Sequence, residues 1–316
     1  MSKLSIIVPI YFNEANIPPF YQTLKEVVLG KEACDYEIIF VDDGSTDNSF
    51  AELQKLRALD NNVKIIKLAR NFGGHEATIT GFAYATGDCL TVIASDLQDP
   101  LELIVQMFEK WQAGAKVVLA ERESRKDAWH EKLFAALYYR IIRKYALPGI
   151  PKKGFDAFML DKQVYQYIIK MSGKNSNING LILWCGFPYE TVLYERRKRE
   201  IGKSRWTFAK KLKTFIDTLL GFSYVPIRLM SGLGLLFSLV AFAYAIWILV
   251  DAVMYGSPIA GWPSMMVAVL GVAGIQLIFL GVIGEYLWRN LDEARQRPLT
   301  VVEQTIGIEE DGAGEP

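Results

Sequence analysis

The sequence predicts an α/β protein in three parts: a mostly parallel, Rossmann-like sheet, then basic amphipathic helices, then two transmembrane helices. Short apolar segments alternate with helical ones over residues 1–120, the pattern of a parallel sheet covered on both faces. Leu90–Pro100, LTVIASDLQDP, is a β-forming run that ends abruptly in acids. Met230–Val250 and Pro263–Gly284 carry no charge, and each has the roughly 20 residues that cross about 30 Å of hydrocarbon.

The chain opens on MSKLSIIVPIYFNE, whose apolar run is too short for a signal peptide and lacks a small-residue cleavage site; Leu4–Ile10 therefore reads as the first strand. Asn16–Leu29 has helical periodicity. Tyr36–Val41 is a second strand, closed by Asp42-Asp43-Gly44-Ser45, and Asp47–Leu59 is a helix that Ser45 is placed to cap. Val63–Leu68 is a third strand, followed by Arg70-Asn71-Phe72-Gly73-Gly74 and a helix over Gly74–Tyr84. Cys89–Ala94 is a fourth strand, Leu101–Ala113 a helix, and Lys116–Ala120 a further strand. There is no GxGxxG and no Walker-type loop, which removes the main support for dinucleotide oxidoreductases and P-loop ATPases.

Two later segments read as interfacial helices. In Trp129–Leu147, Leu133, Phe134, Leu137, Tyr138, Ile141, Ile142 and Tyr145 repeat at helical spacing against Lys132, Arg140, Arg143 and Lys144. Phe208–Phe222 sets Leu212, Phe215, Ile216, Leu219 and Leu220 against Lys210, Lys211 and Lys213. Between the two spans, Asp251–Trp262 carries no Lys or Arg. The outer flanks carry Arg228 on one side and Arg289, Arg295 and Arg297 on the other, which places both termini in the cytoplasm. Trp247, Tyr255, Trp262 and Trp288 stand near the span ends as interfacial anchors. The expected division is a cytosolic domain over 1–225, with interfacial helices near 129–147 and 206–222, a two-helix membrane domain over 226–288 and a cytosolic tail over 289–316.

The 316 residues carry no net charge, which argues against nucleic acid as a partner. Cys34, Cys89 and Cys185 lack CxxC or zinc spacing and read as reduced thiols. His75 and His130 have no partner pattern of a ligand.

The chemistry gathers at strand ends, where open α/β sheets bind ligands. Asp96, Gln98 and Asp99 arrive together after the fourth strand. Such oxygen donors suit a hard cation, Mg²⁺ or Mn²⁺, which in turn suits a diphosphate. Pro9 to Glu14 offers an aromatic ring and an acid to a nucleobase and its ribose. Asp42 or Asp43 can bond the base or the sugar hydroxyls, and Arg70 adds a cation on a permissive loop. Arg196, Arg197, Lys198, Arg199, Lys203 and Arg205 form a basic run suited to a lipid phosphate, with Gly202 as its hinge.

The ordered set VDDGSTD at 41–47, ARNFGGHEA at 69–77, SDLQDP at 95–100, AERESR at 120–125, DAFMLDK at 156–162, REIGKSRW at 199–206 and VIGEYLWR at 282–289 resembles the family 2 glycosyltransferases of the type-A nucleotide-sugar fold. The closer resemblance is to the polyprenyl-phosphate glycosyltransferases: dolichyl-phosphate mannose synthase and the bacterial bactoprenol glucosyltransferases of O-antigen modification. It implies that Pro9, Tyr11, Glu14 and Asp43 bind the nucleoside and that Asp96 and Gln98 hold the cation. It implies a catalytic role for Asp156, and phosphate contacts for Arg122, Arg199 and Arg205. Two positions depart from the family pattern: Ala94 stands where the DxD motif has its first Asp, and Phe158 where related enzymes often carry Arg.

The activity so implied moves a monosaccharide, glucose first, from a UDP-sugar to undecaprenyl phosphate, with inversion, for cell-surface glycans. GlcNAc, galactose and mannose are the alternative sugars. The site would lie on the cytosolic face of the bacterial plasma membrane. A separate flippase and a downstream transferase follow as partners, and the lone helix pair is compatible with a homo-oligomer. A processive polysaccharide synthase is disfavoured, because Gly202 stands where its QxxRW motif needs Gln. A membrane-anchored nucleotide-sugar-binding protein without activity is the reading that Ala94 sustains.

Overall fold

The computed structural model describes residues 2–29, 35–123, 129–151, 153–171, 173, 177–196, 215–218, 220–223, 225–255 and 261–308. The chain divides into two units, residues 1–222 with 298–316, and residues 223–297.

The first unit is built on β1 (Lys3–Ile10), α1 (Ile17–Leu24), β2 (Asp35–Asp42), α2 (Ser49–Leu59), β3 (Val63–Leu68), α3 (Gly74–Ala83), β4 (Cys89–Val92), α4 (Glu102–Gln112) and β5 (Val117–Arg122). It continues with α5 (Trp129–Tyr145), β6 (Ala157–Asp161), α6 (Lys162–Met171), α7 (Ile178–Trp184) and β7 (Tyr189–Tyr194). The second unit holds α8 (Val225–Tyr255) and α9 (Trp262–Ala294), and β8 (Val302–Ile306) returns to the first unit.

The sheet order is β7-β5-β6-β4-β1-β2-β3-β8. β1 pairs parallel with both β2 and β4, β2 with β3, and β5 with β7; β6 and β8 run antiparallel to their neighbours. The strand order therefore reverses between β1 and β4, and the crevice beyond their C-terminal ends is the ligand position of such a sheet. β1 shows how the sequence builds both faces. Leu4, Ile6, Val8 and Ile10 enter one buried cluster and Ile7 the other, the period-2 alternation of a strand covered on both sides.

Towards the N-terminal ends of the central strands a buried carboxylate of β2 ties β1 and β3 to the turn after α3. Glu37 accepts from Ser5 Oγ at 2.6 Å and from Thr86 N at 2.6 Å, and pairs with Lys64 at 2.7 Å and Lys3 at 3.2 Å. Burial alone raises its pKa, but the bonds from Lys64, Ser5 and Thr86 outweigh burial and hold it down at about 2. A depressed carboxyl stabilises the fold above its unfolded-state value, and that contribution fades as pH falls from about 4.5 towards 2. Glu37→Gln is expected to cost about 3 kcal/mol at pH 7 and much less at pH 3, measured by denaturant unfolding.

Three expectations change. The tail is not a separate segment: α9 runs on to Ala294, and β8 adds to the edge of β3. Its VEQTI sequence has little apolar character because it is held by backbone pairing at a sheet edge. Second, part of each amphipathic stretch packs within the protein. Ile142, Leu147 and Ile150 form a small buried cluster with Tyr138, Phe215 and Phe222, and the Tyr138 and Phe215 rings lie 5.7 Å apart. Residues 206–214 of the second amphipathic segment lie outside the described residues. Third, Ser45 does not cap α2; its hydroxyl accepts from Phe12 N at 3.0 Å.

In the second unit, Gly234 of α8 faces the ring of Phe279 of α9, 3.1 Å from where a Cβ would stand. Gly271–Asp292 is a stretch long and apolar enough to cross a membrane.

Candidate active site

Strand ends and the turns after them bring the site together. After β1, the backbone at Phe12 takes a left-handed conformation (φ 55°), and the rings of Tyr11 and Phe12 meet edge to face at 4.5 Å. A bulky residue there is unusual, and such positions concentrate at functional turns. Pro9 pairs with Val41 in the ladder. Glu14 accepts from Asn48 N at 2.9 Å at the start of α2, so this acid is engaged by a helix N-terminus.

Asp42 and Asp43 are both buried, with different tasks. Asp43 accepts from Phe72 N at 2.7 Å and Gly73 N at 3.0 Å, so both its oxygens shape the loop after β3. Asp42 takes Ser45 N at 3.0 Å on one oxygen, while its buried Oδ2 has no partner. Burial pushes both carboxyls above the ordinary aspartate range, against the bonds from Ser45 to Asp42 and from Phe72 and Gly73 to Asp43. A buried acceptor without a donor is costly, which marks Asp42 Oδ2 as the atom fitted to receive a ligand N–H or O–H. Gly44 (φ 68°) makes the turn possible: a Cβ there would stand 2.4 Å from the Arg70 carbonyl carbon. Arg70 itself is exposed, its guanidinium 4.0 Å from the centre of the Phe72 ring.

The turn after β4 puts Leu97 in the left-handed region (φ 54°), and Asp96 Oδ1 accepts from Gln98 N at 3.2 Å. Arg196 Nη2 donates to Gln98 Oε1 at 2.9 Å, and its Nε stands 3.4 Å from Asp99. Ala94 is exposed at the same turn. Among the described residues no group of three or more His, Cys, Asp or Glu forms a metal cage. Asp96 and Gln98 are nevertheless hard oxygen donors, and Mg²⁺ or Mn²⁺ at a diphosphate needs only one or two side chains, with phosphate oxygens and water completing the shell. The donor set fits such a cation.

β5, β6 and β7 supply the other wall. Arg122 Nε lies 2.5 Å from Asp156 Oδ2, without the alignment of a hydrogen bond, so the contact is an ion pair. Tyr194 OH donates to Asp99 at 3.0 Å and lies 3.4 Å from Asp156 Oδ2, joining the β4 turn to the start of β6. Burial raises the Asp99 pKa, while Arg196 and Tyr194 pull it down. Tyr194 and Arg196 carry no sequence signal of this role, since the order β7-β5-β6-β4 alone brings them to Asp99 and Asp156. Phe158 is buried against Phe82 and Phe155, so this position belongs to the core. Burial pushes His75 down to about 4, leaving its imidazole neutral at pH 7. Arg199 and Arg205 lie outside the described residues.

Residues 5–168 match the model of the family Glycosyl transferase family 2. An uncharacterized glycosyltransferase, YkcC, of Bacillus subtilis (strain 168) is 40% identical over 97% of this chain and 95% of its own. A prophage bactoprenol glucosyl transferase homolog of Escherichia coli (strain K12) is 34% identical over 96% of this chain and 99% of its own. The bactoprenol glucosyl transferase of Shigella phage SfX is 34% identical over 94% and 97%. Acids and cations at the switch point of a mostly parallel sheet, the family match and near-full-length relatives agree: the chain belongs to glycosyl transferase family 2, among its polyprenyl-phosphate glycosyltransferases.

Proposed function

We propose that the protein transfers glucose from UDP-glucose to undecaprenyl phosphate, with inversion, on the cytosolic face of a bacterial plasma membrane. The observation that supports this reading is that one end of the strands gathers Asp42, Asp43 and Arg70, the turn carrying Asp96 and Gln98, and the Arg122–Asp156 pair. The names of the relatives point to the lipid acceptor and to glucose.

In this reading Asp42 Oδ2 receives a donor from the nucleoside, with Pro9, Tyr11 and Glu14 around it, and Arg70 meets the diphosphate. A bound Mg²⁺ or Mn²⁺ supplies charge neutralisation to the departing diphosphate. The acceptor phosphate, with its second pKa near 6, is largely a dianion at pH 7. Its oxygen bonds to the anomeric carbon from the face opposite the leaving group, and the bond to the diphosphate breaks with its electron pair. No proton has to be removed from the nucleophile. Asp156 therefore acts chiefly by orienting Arg122 towards the acceptor phosphate, with Arg199 and Arg205 as further phosphate contacts. Tyr194→Phe removes only a hydroxyl, and its kcat is expected to fall about tenfold with KM for the donor within about twofold.

Connectivity supports two membrane crossings. The chain leaves the first unit after Phe222 and re-enters it at Pro298, and a unit held on one side of a bilayer favours an even number of crossings between those points. The loop 251–262 carries no Lys or Arg while both flanks carry Arg, which favours termini in the cytoplasm. A glucosylated lipid made there needs a flippase to cross the membrane and a downstream transferase to use it.

A panel of radiolabelled UDP-glucose, UDP-GlcNAc, UDP-galactose and GDP-mannose, offered with undecaprenyl phosphate and Mg²⁺ or Mn²⁺, tests the donor. Label entering the organic phase from UDP-glucose is expected. Label from another donor alone would replace the sugar. No transfer, with UDP still bound, would favour the binding-protein reading that Ala94 sustains.

A further inference from the structure

We infer that the segment returning from the helical hairpin, Thr300–Ile306, which includes β8, is a positioning element of the nucleotide site, acting through the loop Ala69–Gly73. The inference rests on the reading above that this loop, with Arg70, lines that site.

The loop is clamped from two sides. On one side, Asp43 takes the N–H groups of Phe72 and Gly73, and Gly44 lies flush against the Arg70–Asn71 peptide. On the other side stands the returning chain. Ala69 N donates to the Val301 carbonyl at 2.9 Å, one residue before Arg70. Thr300 Oγ1 and Thr80 Oγ1 meet at 2.7 Å, both buried. Thr80 already donates to Glu76 O at 2.8 Å, so Thr300 is the donor in that pair. Through Thr80 it holds the first turns of α3, into which the loop runs. Leu299, Val302 and Phe72 all pack on the buried cluster that contains Leu68 and Ala77.

The strand pairing points the same way. β8 runs in register with β3 from Ile65↔Ile306 to Lys67↔Gln304, then skips to Leu68↔Val302, leaving Glu303 as the extra residue of a bulge. A bulge bends its strands and increases their twist, and bulges concentrate beside active sites. This one falls where β3 gives way to the Arg70 loop. The whole of β8 lies outside residues 5–168, the part matched by the family model. A strand that merely covered the edge of β3 would protect it from other chains without touching the donor loop.

The test compares full-length wild type with T300V, T300S, T80V/T300V and R70A, reading UDP affinity by calorimetry and KM against kcat for the donor. T300V is expected to weaken UDP binding and raise donor KM about fivefold, the worth of one buried hydrogen bond, with kcat within about twofold. T300S should restore both values, and T80V/T300V should bind UDP no more weakly than T300V. T300V binding UDP like wild type while R70A binds it more weakly would overturn the inference and leave the site reading intact. R70A binding UDP as wild type does, or wild type failing to bind it, would overturn both. Hydrogen exchange on the unaltered protein covers the case in which T300V does not fold. UDP is expected to protect 299–306 together with 69–74, and protection of 69–74 alone would overturn the inference.

Discussion

Replacing Asp156 by Asn will lower transfer by roughly 10²- to 10³-fold while UDP affinity stays within about twofold. The carboxylate stands 2.5 Å from Arg122 Nε and 3.4 Å from Tyr194 OH, at the meeting of β5, β6 and β7. Asn keeps the shape and removes the charge that holds the guanidinium. The proposed nucleotide wall is built from the ends of β1, β2 and β3 instead, so donor binding should hardly change. The pH profile separates the two possible tasks of Asp156. If it orients Arg122, the wild-type rate follows acceptor ionisation near pH 6 and is flat above it, and D156N is slow at every pH. If it removes a proton, the deficit of D156N shrinks as pH rises. Initial rates from pH 5.5 to 9 with calorimetric UDP binding read both quantities, and a loss under tenfold would remove Asp156 from the reaction.

The second large effect is at Asp96. Ala94 leaves Asp96 as the one acid of the pair at this turn, and Asp99 is engaged by Tyr194 and Arg196. Losing a charged oxygen donor from a site with so few side-chain ligands is expected to cut transfer about 10²-fold and to weaken Mn²⁺ binding strongly. Electron paramagnetic resonance of free Mn²⁺ reads the second effect without turnover. A94D should act in the opposite sense and tighten Mn²⁺ about tenfold, by adding an oxygen donor at the exposed start of the turn. Unchanged Mn²⁺ binding in D96N would move the cation elsewhere.

The parts legible in the sequence are those whose signal is local. β1 to β4 are buried on both faces or nearly so, and a buried parallel strand reads as a continuous apolar run. Acids breaking such a run at Asp42 and Asp96 mark its ligand end. The helical hairpin declares itself by length and hydropathy alone. Other features depend on tertiary pairing. β6 runs antiparallel between β4 and β5, and β8 is a polar edge strand that pairs with β3 across more than two hundred residues. No local pattern announces either. The same holds for Tyr194 and Arg196, which reach Asp99 only because β7 joins the far edge of the sheet. The adjacent acids Asp42 and Asp43 look alike in sequence, yet backbone N–H groups occupy both oxygens of one and leave Oδ2 of the other free. The basic amphipathic stretch at 129–147 has the composition of an interfacial helix, but Ile142 and Leu147 are already satisfied by protein neighbours.

The most direct measurement offers UDP-[¹⁴C]glucose to the purified full-length protein with undecaprenyl phosphate in one arm and undecaprenol in the other. Label extracted into the organic phase with the phosphate alone is the predicted result. Equal labelling of both lipids, or of neither, would contradict a phosphate nucleophile held by Arg122 and Asp156.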